Sequence, residues 1–240
     1  KKDGKEYWTE VILTPIYWDL REYLLSYSPE RIKYWLTEEK KRQEILNLID
    51  YLAPNAEGEY MIMNNNFNFD LPYSYIYNGV EKDFLFKGNF LEKKYILIVG
   101  RIHPRKNQLN MIKAVKGLDL PILIIGKVND RNYFRRCKKE SKGENITFIE
   151  EIPRLELKKY YNNCRVNMMV SWYDTPGLVN LESALAGANL LITNRGTTKD
   201  YFKDLAYYSS PLAIDDIRFK LKKAYCEQNS NKLQRHVFEN

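Results

Sequence analysis

Histidine and cysteine are scarce in this 240-residue chain, which holds two and three of them. Cys137, Cys164 and Cys226 stand 27 and 62 residues apart and no CxxC pair occurs. That spacing argues against a structural zinc site or a disulfide framework and fits a reducing, cytoplasmic setting. Long apolar runs are also missing. The longest, Tyr95–Val99 and Leu120–Ile125, fall far short of the ~20 residues that span a bilayer, and the start carries no secretory signal. There is no GxGxxG, so the standard dinucleotide fingerprint is absent. Zinc-finger spacing, an aromatic RNP-type strand and a basic zipper are absent too, which argues against a nucleic-acid partner. With only 11 Gly and 9 Pro, collagen-like and low-complexity readings fall away.

What is present is ordinary globular material: 44% hydrophobic and 29% charged residues. At roughly 100–200 residues per domain the chain holds one large domain or two small ones, long enough to bury a core without staples. It opens Lys-Lys-Asp-Gly-Lys, without an initiator Met, and reaches the strand-like run Val11–Thr14 almost at once, so it reads as a fragment. The net charge is +7, which points to an anionic partner. Its densest cluster is Arg131-Asn-Tyr-Phe-Arg-Arg-Cys-Lys-Lys-Glu-Ser-Lys142. On a helix this makes one cationic face, either a plain solvated surface or a contact for an anionic membrane.

From Tyr95 onward, strands and helices alternate. Strands are expected at Tyr95–Val99, Pro121–Ile125, Asn145–Phe148, Val166–Val170 and Asn189–Thr193. Helices are expected over Lys106–Lys116 and Asn129–Lys142, from Pro153 as first helical residue, and over Leu178–Ala186 up to Gly187. This alternation is the pattern of βαβ units: an α/β fold with a Rossmann-type parallel sheet and helices on both faces. Upstream, residues 17–50 read as helical, Tyr51–Ala53 and Tyr73–Tyr77 as strands, Ala56–Asn64 as a helix, and Asn78-Gly79 as a turn. Residues 80–94 read as a polar connection with aromatic plugs Phe84, Phe86 and Phe90, and one or two helices follow Ile214.

In such a sheet, ligands bind beyond the carboxyl ends of the strands, where helix N-termini favour anions. The first strand is followed by Gly100-Arg-Ile-His-Pro-Arg-Lys-Asn107, in which Arg101 and Lys106 form a candidate diphosphate clamp. The second is followed by Gly126-Lys127. The fourth is followed by Ser171-Trp-Tyr-Asp-Thr-Pro-Gly-Leu-Val-Asn-Leu-Glu182, with carboxylates eight residues apart at Asp174 and Glu182. There the amides of Gly177, Leu178 and Val179 face any anion at the helix start, and Glu182, set among Leu181, Ala184 and Leu185, needs a partner that a ribose diol would supply. The fifth is followed by Asn194-Arg-Gly-Thr-Thr-Lys-Asp200. Four such loops on one rim describe a nucleotide- or phosphate-binding domain.

The series Gly100-Arg101…Lys106-Asn107, Gly126, Leu157…Tyr160-Tyr161, then Asp174-x7-Glu182 and Ala184…Ala186-Gly187 resembles the family-4 retaining glycosyltransferases of GT-B fold. Upstream, Asp50–Glu59 and Tyr77-Asn-Gly-Val80 resemble the end of that family's first domain and its crossover. The resemblance implies two Rossmann-like domains facing across a cleft: residues 1–90 as a remnant of the acceptor-side domain and the crossover, 91–212 as the nucleotide-sugar-binding domain, and 213–240 as a helical segment. It implies Arg101 and Lys106 on the donor diphosphate in place of a metal ion, so no cofactor. Asp174 would lie near the transferred sugar, Glu182 on the ribose, and Gly100, Gly126, Lys127, Gly177, Leu178 and Val179 would line the donor site. The implied reaction moves a sugar with retention from a nucleoside-diphosphate sugar to a glycan, lipid-linked or protein acceptor. The family's first acid is usually Glu, one methylene longer than Asp174, and its first domain is larger, so the chain alone is expected to bind donor without transferring it. A sugar-nucleotide 2-epimerase of the same architecture and a non-catalytic nucleotide-sugar or polyanion binder are the alternatives.

Overall fold

The computed structural model describes residues 41, 43–67, 69–228 and 231–240. The Val11–Thr14 run and most of the helical reading of 17–50 lie outside the described residues; within it, 43–46 are helical. Six strands form one sheet: β1 (Tyr95–Val99), β2 (Ile122–Ile125), β3 (Ile146–Ile149), β4 (Cys164–Met169), β5 (Asn189–Thr193) and β6 (Tyr207–Ser209). Their order is β3-β2-β1-β4-β5-β6 and every pairing is parallel. The central strands read as unbroken apolar runs, such as Tyr-Ile-Leu-Ile-Val in β1, because a parallel sheet is covered on both faces.

The helices are α1 (Glu57–Phe67), α2 (Gln108–Val115), α3 (Arg131–Glu140), α4 (Arg154–Asn162), α5 (Leu178–Leu185), α6 (Thr198–Phe202), α7 (Ile214–Cys226) and α8 (Asn231–Glu239). Helix α2 packs against α3 and α7, whereas α5 packs against α4 and α8. Asp130 caps α3 by accepting the Tyr133 N–H at 2.9 Å. The Tyr133 hydroxyl in turn accepts the Leu109 N–H at 2.9 Å, tying α3 to the start of α2. Among the described residues no helix is long and apolar enough to cross a membrane.

The structure departs from the sequence reading in several places. Pro153 is the residue before α4 rather than its first, and Pro104–Lys106 form a 3-10 turn ahead of α2. Helix α6 starts inside the Asn194–Asp200 loop and strand β6 lies in a stretch to which the sequence assigns no element; both are short and carry little periodicity. Leu52 and Tyr73 make a single parallel bridge where two strands were expected, and Asn78-Gly79 runs on without a turn. The Asn78 N–H is held instead by the Tyr201 hydroxyl at 3.0 Å. The same hydroxyl donates to the Asn55 carbonyl at 2.5 Å, and Asp200 accepts the Gly58 N–H at 2.8 Å. Helix α6 thus bolts residues 55–58 and Asn78 to the sheet.

Phe84 is buried in the main core, edge-on to Tyr161. Nearby, Lys93 is buried without a carboxylate. Its ammonium donates to the carbonyls of Tyr161 (3.4 Å), Asn162 (2.8 Å) and Ala186 (2.7 Å), stapling the carboxyl ends of α4 and α5. A second, smaller core gathers Leu46, Leu52, Met63 and Phe67.

Candidate functional site

The strand order reverses between β1 and β4, so the crevice of this sheet lies over their carboxyl ends. The loops after β1 and β2 run side by side. Gly100 donates to the Ile125 carbonyl at 2.9 Å, Ile102 donates to the Lys127 carbonyl at 2.8 Å, and Ile102 bridges Val128. A Cβ on Gly126 would stand 2.2 Å from the Gly100 oxygen, so only glycine lets the two backbones meet. Asn107, at φ 59°, closes the 3-10 turn, and its buried amide donates to the carbonyls of Val170 and Pro211, each at 2.9 Å. That amide fixes the β1 loop to the end of β4.

Three cations stand on this half of the rim. Arg101 and Lys127 are exposed and Arg105 is half-buried; none of their side chains makes an ion pair or hydrogen bond among the described residues. Arg105 was not singled out in the sequence; its carbonyl accepts the Trp172 N–H at 3.0 Å, which places it between the two central loops. His103 serves the loop itself, its Nδ1 accepting the Arg105 N–H at 3.2 Å.

Lys106 is different. Its ammonium lies 3.0 and 3.1 Å from the two carboxylate oxygens of Asp174, whose side chain is 7% exposed. Ser171 donates to Asp174 Oδ2 at 2.6 Å. The Asp174 carbonyl accepts from Thr197, and a Cβ on Gly196 would lie 2.1 Å from that carbonyl. The structure therefore brings Lys106 and Asp174 together as a buried link between the loops after β1, β4 and β5.

Glu182 belongs to a separate pair. Arg154 Nε donates to its Oε1 at 2.8 Å and the Tyr161 hydroxyl to its Oε2 at 2.9 Å. Arg154 also holds Glu81 of the crossover at 2.6 Å. The Glu182 carboxylate raises the Arg154 pKa above the usual guanidinium range, and burial with the same carboxylate pushes the Tyr161 hydroxyl far up. The partner that Glu182 needs is thus supplied by α4. Arg154 and Tyr161 lie seven residues apart, two turns along one helix face, and that period is the signal in the sequence that would have found them.

Gly177, at φ 77°, precedes α5, whose first two residues are an exposed Leu178 and a half-buried Val179. The N–H groups of Gly177, Leu178 and Val179 have no backbone acceptor among the described residues and lie at the positive end of the helix dipole.

Solved structures share the fold at low sequence identity. A sucrose-phosphate synthase from Thermosynechococcus elongatus superposes with a TM-score of 0.74 at 16% identity, over 85% of this chain and 57% of that one. A UDP-forming α,α-trehalose-phosphate synthase from Burkholderia xenovorans, in complex with glucose-6-phosphate, gives 0.70 at 15% identity, covering 82% of this chain and 58% of that one. The Anabaena protein HepE, in complex with UDP and glucose, gives 0.69 at 12% identity, covering 82% and 62%. This chain therefore spans under two thirds of each of these structures. No curated protein matches it in sequence. The architecture is the α/β arrangement of GT-B glycosyltransferases, and the model of the family described as "Glycosyl transferases group 1" matches residues 80–236. The chain belongs to the group 1 glycosyl transferases.

Proposed function

We propose that this chain carries the donor-binding part of a retaining glycosyltransferase, one that moves a hexosyl group from a nucleoside-diphosphate sugar to a glycan, lipid-linked or protein acceptor, as in polysaccharide assembly. The observation that carries the reading is the set of cations Arg101, Arg105 and Lys127, without an ion pair among the described residues, beside the strand-order reversal from whose other strand the chain enters α5. A diphosphate needs positive charge that is not already neutralised, and this is where the fold leaves it.

In this reading Arg101, with Arg105 beside it, grips the diphosphate, and Gly100 and Gly126 let the phosphates approach the backbone. Lys106, already answered by Asp174, holds the loop that carries both arginines. The amides of Gly177, Leu178 and Val179 meet phosphate or sugar oxygens. Glu182 keeps lone pairs for the ribose hydroxyls while Arg154 and Tyr161 hold it in place. Asp174 acts on the sugar through the loop it anchors. The bond between the anomeric carbon and the diphosphate oxygen breaks with its electron pair leaving on the diphosphate. The acceptor hydroxyl bonds to the same face of that carbon and gives its proton to the departing phosphate. Arg101 and Arg105 stabilise the charge that grows there, in the role a metal would otherwise fill. Residues 1–90 form the acceptor side and crossover, 91–212 the donor domain and 213–240 the closing helices. The protein works in the cytoplasm, and the cations exposed along α3 (Arg131, Arg135, Arg136, Lys138 and Lys139) rest it on an anionic membrane.

The test is a thermal-shift titration with UDP, GDP and ADP and their sugar conjugates at fixed salt. A ligand at ~100 times its Kd adds roughly 2.7 kcal/mol. Selective stabilisation by one nucleotide is the expected result, and UDP is tried first because HepE was solved with it. A response to every polyanion alike, vanishing with salt, would instead identify a general anion binder.

A further inference from the structure

One polar pair in the core has no place in the roles above. Asn167 sits in the middle of β4, fully buried, with Leu97 of β1 and Leu190 of β5 beside it in register. Its Nδ2 donates to Asn180 Oδ1 at 2.8 Å, while its Oδ1 has no partner among the described residues. Asn180, also fully buried, is the third residue of α5 and sits beside Leu181. Its Nδ2 donates to the Pro176 carbonyl at 2.7 Å. Two buried amides, one of them half satisfied, cost stability at a place where leucines would pack.

The cost has a local effect. The relay runs from mid-sheet, through the first turn of α5, to the last carbonyl before Gly177. The Asn180 backbone N–H also closes on the Gly177 carbonyl at 2.8 Å. A Cβ on Gly177 would stand 2.8 Å from Asn180 Nδ2, so the glycine keeps the space this amide fills. The turn Pro176–Val179 is thus clamped from inside the core, on the side away from the rim. The N–H groups of Gly177, Leu178 and Val179 are left without a backbone acceptor among the described residues.

We infer that Asn167 and Asn180 are positioning residues for the donor phosphates: they fix the Pro176 carbonyl, and through it the direction in which the Gly177, Leu178 and Val179 amides face the rim. This rests on the donor-site reading above. The pair acts on the phosphates and not on the nucleoside, because the ribose carboxylate Glu182 is held separately by Arg154 and Tyr161.

The experiment uses the full 240-residue chain with Asn180→Leu, and with Asn167→Leu plus Asn180→Leu, which replaces both amides by apolar groups of similar size so that the fold survives if the single variant fails. Binding of UDP and uridine, GDP and guanosine, and ADP and adenosine is measured by NMR titration beside the melting temperature. The amide shifts of residues 177–179 are recorded in the free protein. The double variant is expected to melt no lower than the wild type and to bind the preferred nucleoside diphosphate at least tenfold more weakly. It should keep its affinity for the matching nucleoside, with amide shifts changed around Gly177. Unchanged diphosphate affinity overturns the inference, as does an equal loss of nucleoside and diphosphate binding. If the wild type binds no nucleotide, the donor-site reading fails on its own, and unmoved amide shifts at 177–179 then overturn the clamp separately.

Discussion

The two halves of the rim treat charge in opposite ways. After β1 and β2, Arg101, Arg105 and Lys127 face outward with no carboxylate partner among the described residues. After β4 and along α5, both acids are buried and engaged: Asp174 by Lys106 and Ser171, Glu182 by Arg154 and Tyr161. Each acid, moreover, takes its cation from a different element, Asp174 from the loop after β1 and Glu182 from α4. The acids therefore work first as joints between elements. A carboxylate motif in the sequence marks where those elements are fastened.

This contrast separates stability from binding, and substitutions on the two sides should behave differently. Asp174→Ala strips Lys106 and Ser171 of their shared partner inside a nearly closed joint. Urea denaturation should show a loss of about 3 kcal/mol, the range for breaking a buried pair from one side. A loss under ~1 kcal/mol would mean that the joint is not carrying the three loops. Arg101→Ala should leave stability within about 0.5 kcal/mol, as expected for an exposed side chain without contacts. Its effect should appear in calorimetric titration with the preferred nucleoside diphosphate, as a ten- to hundredfold drop in affinity for one lost charge-assisted contact of about 1.5–3 kcal/mol. Equal destabilisation by both substitutions would erase the distinction.

The sheet was legible because β1 to β5 are largely apolar runs of four to six residues between polar loops, and β1 and β5 begin and end where the pattern places them. Helix α6 and strand β6, of five and three residues, are too short to show a period, so the bolt made by Asp200 and Tyr201 was invisible. At the site, glycines and charges could be assigned to loops, because the rim of a parallel sheet collects them. Which acid pairs with which base could not be. Lys106 meets Asp174 across 68 residues and Arg154 meets Glu182 across 28, distances at which only the topology decides the contact. Asn180 escaped notice for a related reason: one polar residue among leucines on a short helix looks like surface until its neighbours are known.

Lys93 sharpens the contrast from the far end of α4 and α5. It too lacks a carboxylate among the described residues, yet it is buried, answered by the carbonyls of Tyr161, Asn162 and Ala186 and by the faces of Phe86 at 4.2 Å and Phe90 at 5.9 Å. Burial lowers its pKa from 10.5 to about 8. Between those values the unfolded chain holds a proton that the folded chain has released. Lys93 therefore costs stability below pH 8, and that cost is relieved as the pH rises from 8 towards 10.5, by at most about 1.4 kcal/mol per unit. The buried thiols of Cys137 and Cys164, pushed up to about 11 and about 12, act in the opposite sense as they resist ionisation. The wild type alone would thus mix the two trends, and the comparison must be with Lys93→Met. Urea denaturation of both proteins at pH 7, 8, 9 and 10 should show the wild type gaining on the variant across the upper three points. A gap that stays constant would mean that the helix carbonyls hold Lys93 charged throughout, and that an unpaired cation here is as well satisfied in the core as Arg101 is in water.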